Sequence, residues 1–425
     1  MSTHLSRPSY AAVLRVPLAR RAFTAALIAR LSYGTVALAV LLSVTRATGS
    51  YAVSGIVMSL FGATTVLLMP VRAALIDRHG PRRALLPMSA LYGTLLCALA
   101  ALTWHPGAPA PLLALSAGLA GACAPPLGPT MRALWSELVT DRELLQRAYS
   151  LDGVAEELLF VSGPVLIGAL MGVAPPAAGI LLSAFLNTAG TCAFVTSPAL
   201  PGSRPRPASG GPRPAAVRGL LPPVAAALGV GLALSGVELL VMAFATERSY
   251  DTALVPWVLG ALSAGSALGG LVNGAVRWRT TARARLGRCA AGLGLVLAPA
   301  GLAPGLWTLT GVMALAGAFI APALTTAYLL ADETAPEGSR TQAGAWVNMA
   351  VNAGSSGGAI AAGSLIGRLP LPACFALAGG TVLCAAAAVA VKAPSLRAVV
   401  RPRVRGGWSR SSPRAQAQEA QGRPR

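Results

Sequence analysis

The sequence predicts an all-α membrane protein: twelve transmembrane helices arranged as two pseudo-symmetric six-helix bundles. Three observations carry that prediction. Only 11% of the 425 residues are charged and the mean hydropathy is +0.63, whereas soluble domains carry about 25% charge. Apolar runs of the length that crosses a bilayer recur along most of the chain, each able to span about 30 Å of hydrocarbon at about 1.5 Å per residue. The two halves of the chain also share a weak internal repeat. Lipid offers backbone N–H and C=O groups no partners, so apolar runs of this kind must be helical.

The expected spans are 22–44, 51–75, 84–104, 110–132, 150–172, 177–197, 220–245, 253–275, 287–303, 306–330, 342–366 and 371–391. Residues 1–21 form a short leading segment, 22–199 the first bundle and 219–392 the second. Residues 200–218 are dense in Pro and Gly, which ends helices, and serve as the linker. Residues 393–425 are basic and rich in Pro, Ser and Gln, a composition expected to stay disordered. No cleavable leader is evident, because the first apolar run follows a stretch with Arg7, Arg15, Arg20 and Arg21 and lacks a small-residue cleavage site.

A net charge of +20 is the kind of signal a nucleic-acid partner gives, but its distribution excludes that reading. With residue 1 inside, only Arg46, Arg248 and Arg368 of the 34 basic residues fall in outer loops, and Arg30 lies within a helix. The rest lie on or near the cytoplasmic side, as the positive-inside rule requires. Trp104, Trp257 and Trp307 fall at outer ends of spans, and Trp135, Trp278 and Trp346 at or near inner ends, in keeping with an interfacial belt. The expected location is the inner (plasma) membrane, with both termini cytoplasmic. The six cysteines sit in or at the edge of apolar runs without CxxC spacing and are expected to be inert thiols.

The repeat is visible in aligned residues. Gly121-Ala122 and Pro126 align with Gly317-Ala318 and Pro322, and Glu137 with Glu333, at one offset. Gly34 and Arg46 align with Gly236 and Arg248, and Gly163 with Gly358, at offsets that differ by a few residues.

One short loop carries most of the recognisable chemistry. Between Arg72 and Leu85 an aspartate, a turn glycine and several arginines are packed between two apolar runs. Leu75, Asp77, Arg78, Gly80 and Arg82 match the pattern Gly-x-Leu-x-Asp-Arg-x-Gly-Arg-Arg, while Ala73 and Pro81 depart from it. The loop resembles the one between helices 2 and 3 of the major facilitator superfamily of transporters, and the resemblance extends over about residues 20–392. Parallel six-helix repeats that rock about a central site are what it implies. It also implies that Asp77, with Arg78, Gly80 and Arg82, forms a conformational latch. In that latch Asp77 faces the positive N-terminal end of helix 11 near Thr341 and Gln342 and favours the state closed to the cytoplasm. In helix 5, Gly163, Pro164 and Gly168 resemble the Gly-Pro-x-x-Gly-Gly signature of proton-coupled antiporters, with Ile167 in place of one glycine. Plain helix packing accounts for the same residues.

Ionisable groups inside spans are costly, about 2.5–3.5 kcal/mol at a helix centre on insertion scales, so each calls for a partner or a cavity. Arg30, Glu156, Glu157 and Glu238 are the candidates, and Asp152 is expected to be solvated near an inner helix end. Arg30 and Glu156 each lie about 10 Å deep by helix rise. They form either a structural ion pair or a proton or substrate site. Glu157 points about 100° away from Glu156. Glu238 is either a protonated carboxyl buried against helix backbone or a protonation or substrate-binding site. Asn348 and Asn352, one turn apart, either line a cavity or bond neighbouring helices. Tyr33 and Phe160 are either cavity wall or core filling.

Other chemistries are excluded. A P-loop needs Gly-Lys-Ser/Thr, and the sole lysine, Lys392, precedes Ala393. The run Gly354-Ser355-Ser356-Gly357 suggests an intramembrane serine protease, but His4, His79 and His105 all lie in the tail or loops. No enzyme activity, cofactor or metal site is expected. The sequence therefore reads as a secondary transporter, expected to be monomeric, that exports a small amphipathic or drug-like molecule by proton antiport. The alternatives are an importer or uniporter of the same fold, or a non-transporting membrane sensor.

Overall fold

A computed structural model describes residues 9–200, 214–336 and 338–390. The expected tail and most of the expected linker lie outside the described residues. The helices in chain order are α1 (Tyr10–Leu14), α2 (Ala19–Thr48), α3 (Tyr51–Leu67), α4 (Met69–His79), α5 (Pro81–Trp104), α6 (Ala110–Cys123), α7 (Leu127–Leu138) and α8 (Arg142–Met171). They continue with α9 (Pro176–Val195), α10 (Pro214–Glu247), α11 (Val255–Ala275), α12 (Ala282–Leu297), α13 (Leu306–Thr334), α14 (Arg340–Leu365) and α15 (Leu371–Ala390). Among the described residues nine spans are long and apolar enough to cross a bilayer, and the bent pair α3–α4 makes a tenth. Of the remaining two expected spans, α12 has 16 residues and is continued by a 3-10 turn at Ala300–Leu302. The other, α14, carries Asn348, Asn352, Ser355 and Ser356, which lower its hydropathy.

Packing follows the repeat. In the first half α2 packs on α8 and α9, α3 on α6, and α5 on α6 and α9. In the second half α10 packs on α14 and α15, α11 on α13, and α12 on α13 and α15. The aligned glycines lie on matching helix pairs, α2 with α8 and α10 with α14. A Cβ on Gly34 or Gly163 would run into the backbone of the other helix, and a Cβ on Gly236 would meet the Gly358 carbonyl at 3.8 Å. Small residues are what allow membrane helices to approach this closely.

Several boundaries differ from the sequence expectation. The second span is bent by 41° at Leu68, where Pro70 opens a new helix. The stretch after Arg72 is therefore helical as far as His79, and the turn is little more than Gly80. Its φ of +85° suits glycine, and Pro81 starts α5 at once. The fourth span is broken between Cys123 and Leu127 by Pro125 and Pro126, and then runs on to Leu138. Helix α8 begins at Arg142, where the Asp141 side chain caps the Leu144 N–H at 2.7 Å. That start lies eight residues before the expected 150, so Asp152 is nearly three turns inside the helix rather than near its end. Helix α10 starts at Pro214, inside the expected linker, because proline is tolerated in a first turn. The leading segment also carries α1, whose Tyr10 hydroxyl donates to the Leu271 carbonyl of α11 at 2.5 Å.

The halves meet at the arginine-rich end of the molecule. Arg142 pairs with Glu333 at 2.6 Å, and Arg277 with Glu143 at 2.9 Å. Arg340 donates to the Ser136 hydroxyl at 3.0 Å, and Arg285 to the Gln146 side-chain oxygen at 2.5 Å. On α8 the segment Gln146–Ser150 is buried with Asp152, whereas Leu158, Phe160, Val161 and Val165 are exposed. The two halves are thus closed at the basic end and part beyond Glu157.

Candidate functional site

Where the halves part they enclose a cavity of about 550 Å³, walled by helices of both halves. That volume is in the range of small-molecule sites. Its aromatic and apolar wall includes Tyr33, Phe61, Phe160, Leu234, Ile320 and Tyr328, and its polar groups include Arg72, Arg132, Glu156, Glu157, Glu238, Asn348 and Asn352.

At one edge of the cavity four charges lock together. Arg30 of α2 pairs with Asp152 at 2.6 Å and with Glu156 at 3.0 Å. Arg132 of α7 pairs with Asp152 at 2.9 Å and also with Glu156. Asp152 and Glu156 are one helical turn apart, so α8 presents both carboxylates on one face. Asp152 is wholly buried, which corrects the expectation of a solvated residue near a helix end. Two cations facing two anions make the cluster neutral, so that each charge is compensated by two partners. The Arg132 guanidinium also lies 3.8 Å from the ring centroid of Tyr328 on α13, a cation–π contact between the halves. Arg132 was missed in the sequence because it sits where the expected fourth span stops and was counted among the cytoplasmic arginines. The Asp152/Glu156 spacing was the signal that two cations, not one, were needed.

Glu157 turns away from this cluster and accepts a hydrogen bond from the Ser266 hydroxyl of α11 at 2.5 Å, while its second carboxylate oxygen has no partner. Glu238 of α10 is exposed to the cavity, which corrects the alternative of a carboxyl buried against helix backbone. Among the described residues neither Glu157 nor Glu238 has a cationic partner. Asn348 and Asn352 line the opposite wall. Asn352 donates to the Asn348 carbonyl and side-chain oxygen at 2.8 and 2.9 Å, and Asn348 donates to the Tyr328 hydroxyl at 3.3 Å. Tyr33 lines the cavity and its hydroxyl donates to the Pro125 carbonyl at the break in the fourth span. Phe160 is exposed on the same wall.

Away from the cavity, Asp77 caps the start of α14. The N–H groups of Thr341 and Gln342 donate to its two oxygens at 3.3 and 2.8 Å. These N–H groups are the orphan donors of a helix N-terminus, where a negative charge is favoured. Arg82 donates to the Val195 carbonyl at 2.7 Å, and Arg78 is exposed. On α8, Gly163 lies against Gly34, Pro164 sits inside the helix, and Gly168 faces open space.

The profile described as Major Facilitator Superfamily matches residues 22–301. No curated protein matches the sequence. Among solved structures, the human organic anion transporter MFSD10 (TETRAN) superposes with a TM-score of 0.66 at 16% identity, covering 89% of this chain and 99% of that one. A bacterial homologue of the iron transporter ferroportin, in an outward-facing state, gives 0.66 at 16% identity over 88% of this chain and 97% of that one. The E. coli fucose:proton symporter gives 0.66 at 14% identity over 90% and 100%. At such identities these likenesses establish the shared fold.

Proposed function

The chain belongs to the major facilitator superfamily of transporters, and within that family we propose that it exports a small amphipathic molecule by proton antiport. One observation carries the reading. The cavity holds two carboxylates without cationic partners among the described residues, Glu157 and Glu238, while Glu156 is held between two arginines. Ionisable groups left unpaired inside a membrane protein are the usual carriers of protons and charged substrates. The mostly apolar wall offers little to a sugar and suits an amphipath. The test is flux in everted vesicles supplied externally with a panel of amphipathic dyes. Uptake into everted vesicles that collapses with a protonophore is the expected result. Uptake indifferent to the gradient marks an uncoupled carrier, reversed flux marks an importer, and no flux marks a sensor.

We place the arginine-rich end in the cytoplasm, from the charge asymmetry of the loops. The closed basic end then makes this the outward-open state of an alternating-access cycle. Single-cysteine variants at Ser209 and Ser411 should resist impermeant thiol reagents in intact cells. Labelling of either from outside would overturn the orientation.

Asp77 then acts as a latch on that closed end. A charge at a helix N-terminus in partly buried geometry is worth up to ~2 kcal/mol, and ~1.4 kcal/mol is tenfold. Asp77→Asn removes the charge and keeps an acceptor, so flux should fall by about tenfold with insertion unchanged. Wild-type flux in Asp77→Asn would reduce Asp77 to a counter-charge for its neighbouring arginines.

A further inference from the structure

We propose that the cavity takes a zwitterion: an apolar molecule carrying an amine and a carboxylate, with the carboxylate docked on Arg72. This rests on the transport reading and names the substrate class of the same site. Arg72 stands on α4 beside the two breaks in the cavity wall, the bend at Leu68 and the gap between Cys123 and Leu127. Its guanidinium donates to the Gly121 carbonyl at 2.6 Å, which also accepts the Ala124 N–H at 3.3 Å, and to the Thr65 carbonyl in the last turn of α3. Its Nε has no partner, and the residue is 4% exposed.

Those carbonyls satisfy hydrogen bonds but not charge. Of the two arginines that line the cavity, Arg132 is neutralised by Asp152 and Glu156, whereas Arg72 has no carboxylate partner among the described residues. Joining two carbonyls needs only donors, which a neutral amide supplies. A guanidinium adds a full positive charge that is costly to bury unpaired. Such a charge in a membrane-embedded wall marks a ligand pathway.

The other charges in the cavity that are unpaired among the described residues are negative. Glu157 stands on α8 and Glu238 on α10, so the wall is positive at α4 and negative at α8 and α10. A molecule that satisfies all three presents its acid group to Arg72, where guanidinium geometry favours a carboxylate. Its amine goes toward Glu157 and Glu238, where it competes with a proton, and its apolar body lies against Tyr33 and Phe160.

The test compares two dyes on one scaffold with the full chain in lipid nanodiscs. Nε-dansyl-lysine carries an amine and a carboxylate. Dansylcadaverine is the same molecule without the carboxylate. The wild-type chain should bind Nε-dansyl-lysine about tenfold more tightly, the value of one charge-assisted contact. In Arg72→Gln the affinity ratio should fall to about one, and Arg72→Lys should restore part of it. Equal affinities in the wild-type chain overturn the proposal, as do absence of binding by both dyes and a ratio that survives Arg72→Gln. If Arg72→Gln does not fold, the wild-type ratio and Arg72→Lys decide. Binding needs no gradient, so a failure of the export reading shows in vesicle flux while leaving this ratio untouched.

Discussion

Arg30→Ala is expected to remove most of the folded protein, and Arg30→Ala/Glu156→Ala to return part of it. In the intact chain Asp152 and Glu156 each bridge Arg30 and Arg132, and the four charges cancel. Removing Arg30 leaves two carboxylates to share Arg132, with one uncompensated negative charge in a site where Asp152 is wholly buried. Breaking a buried pair in this way costs about 3–5 kcal/mol, a large share of the ~5–15 kcal/mol that holds a typical domain together. Removing Glu156 as well leaves the Arg132–Asp152 pair at 2.9 Å and restores neutrality. The cavity that the two truncations open is not refilled, which is why recovery is partial. Arg132→Ala should be at least as damaging, because it also strips the cation from the Tyr328 ring. Monodisperse yield in detergent and the midpoint of thermal unfolding measure both effects. A double variant no better than Arg30→Ala alone would show that the four charges are not a unit, and normal yield in Arg30→Ala would free Arg30 for a role in transport.

The fold was legible because lipid demands apolar helices long enough to cross it, and most of the spans meet that demand. What hydropathy does not reveal is where a helix continues beyond the hydrocarbon. That is why α8 starts at Arg142 instead of 150, and why Asp152 was expected in solvent. Breaks inside a span leave a fainter trace. Pro125 and Pro126 announced one, but the bend at Leu68 shows in the sequence only as Pro70 two residues later. Counting charges by side hides two residues, because it groups Arg72 and Arg132 with the cytoplasmic arginines while the fold draws both inward. The repeat was more informative. It aligned Gly34 with Gly236 and Gly163 with Gly358, and these residues lie on matching helix pairs, with Gly34 pressed against Gly163 and Gly358 against the Leu232 backbone. Partner choice among polar residues, such as Ser266 with Glu157 or Asn348 with Tyr328, depends on how helices cross, which no local pattern encodes.

The largest functional effect is expected from Glu157→Gln, which should abolish gradient-driven flux yet leave substrate exchange. Glu156 cannot serve the same purpose while two arginines hold it. Glu157 has one oxygen on the Ser266 hydroxyl, across the line between the halves, and one oxygen free. Any rocking of α8 against α11 changes that contact and the water around it, so the proton affinity of this carboxyl differs between the two states of the cycle. In the proposed antiport, that difference couples proton movement to alternating access. Its counterpart in the repeat is Asn352, which also lines the cavity, so polar groups occupy matching positions in both halves. Glu238 is the second candidate, more exposed and without a hydrogen-bond partner among the described residues. One proton crossing ~100 mV carries about 2.3 kcal/mol, enough to sustain a roughly fortyfold concentration ratio. In Glu157→Gln that ratio should fall to about one, while counterflow of labelled for unlabelled substrate persists, because exchange needs the cavity but not the proton. If Glu238 carries the proton instead, the two variants exchange phenotypes. Should Glu156→Gln, Glu157→Gln and Glu238→Gln all transport with unchanged pH dependence, no carboxyl of this cavity couples flux to protons and the chain is an uncoupled carrier.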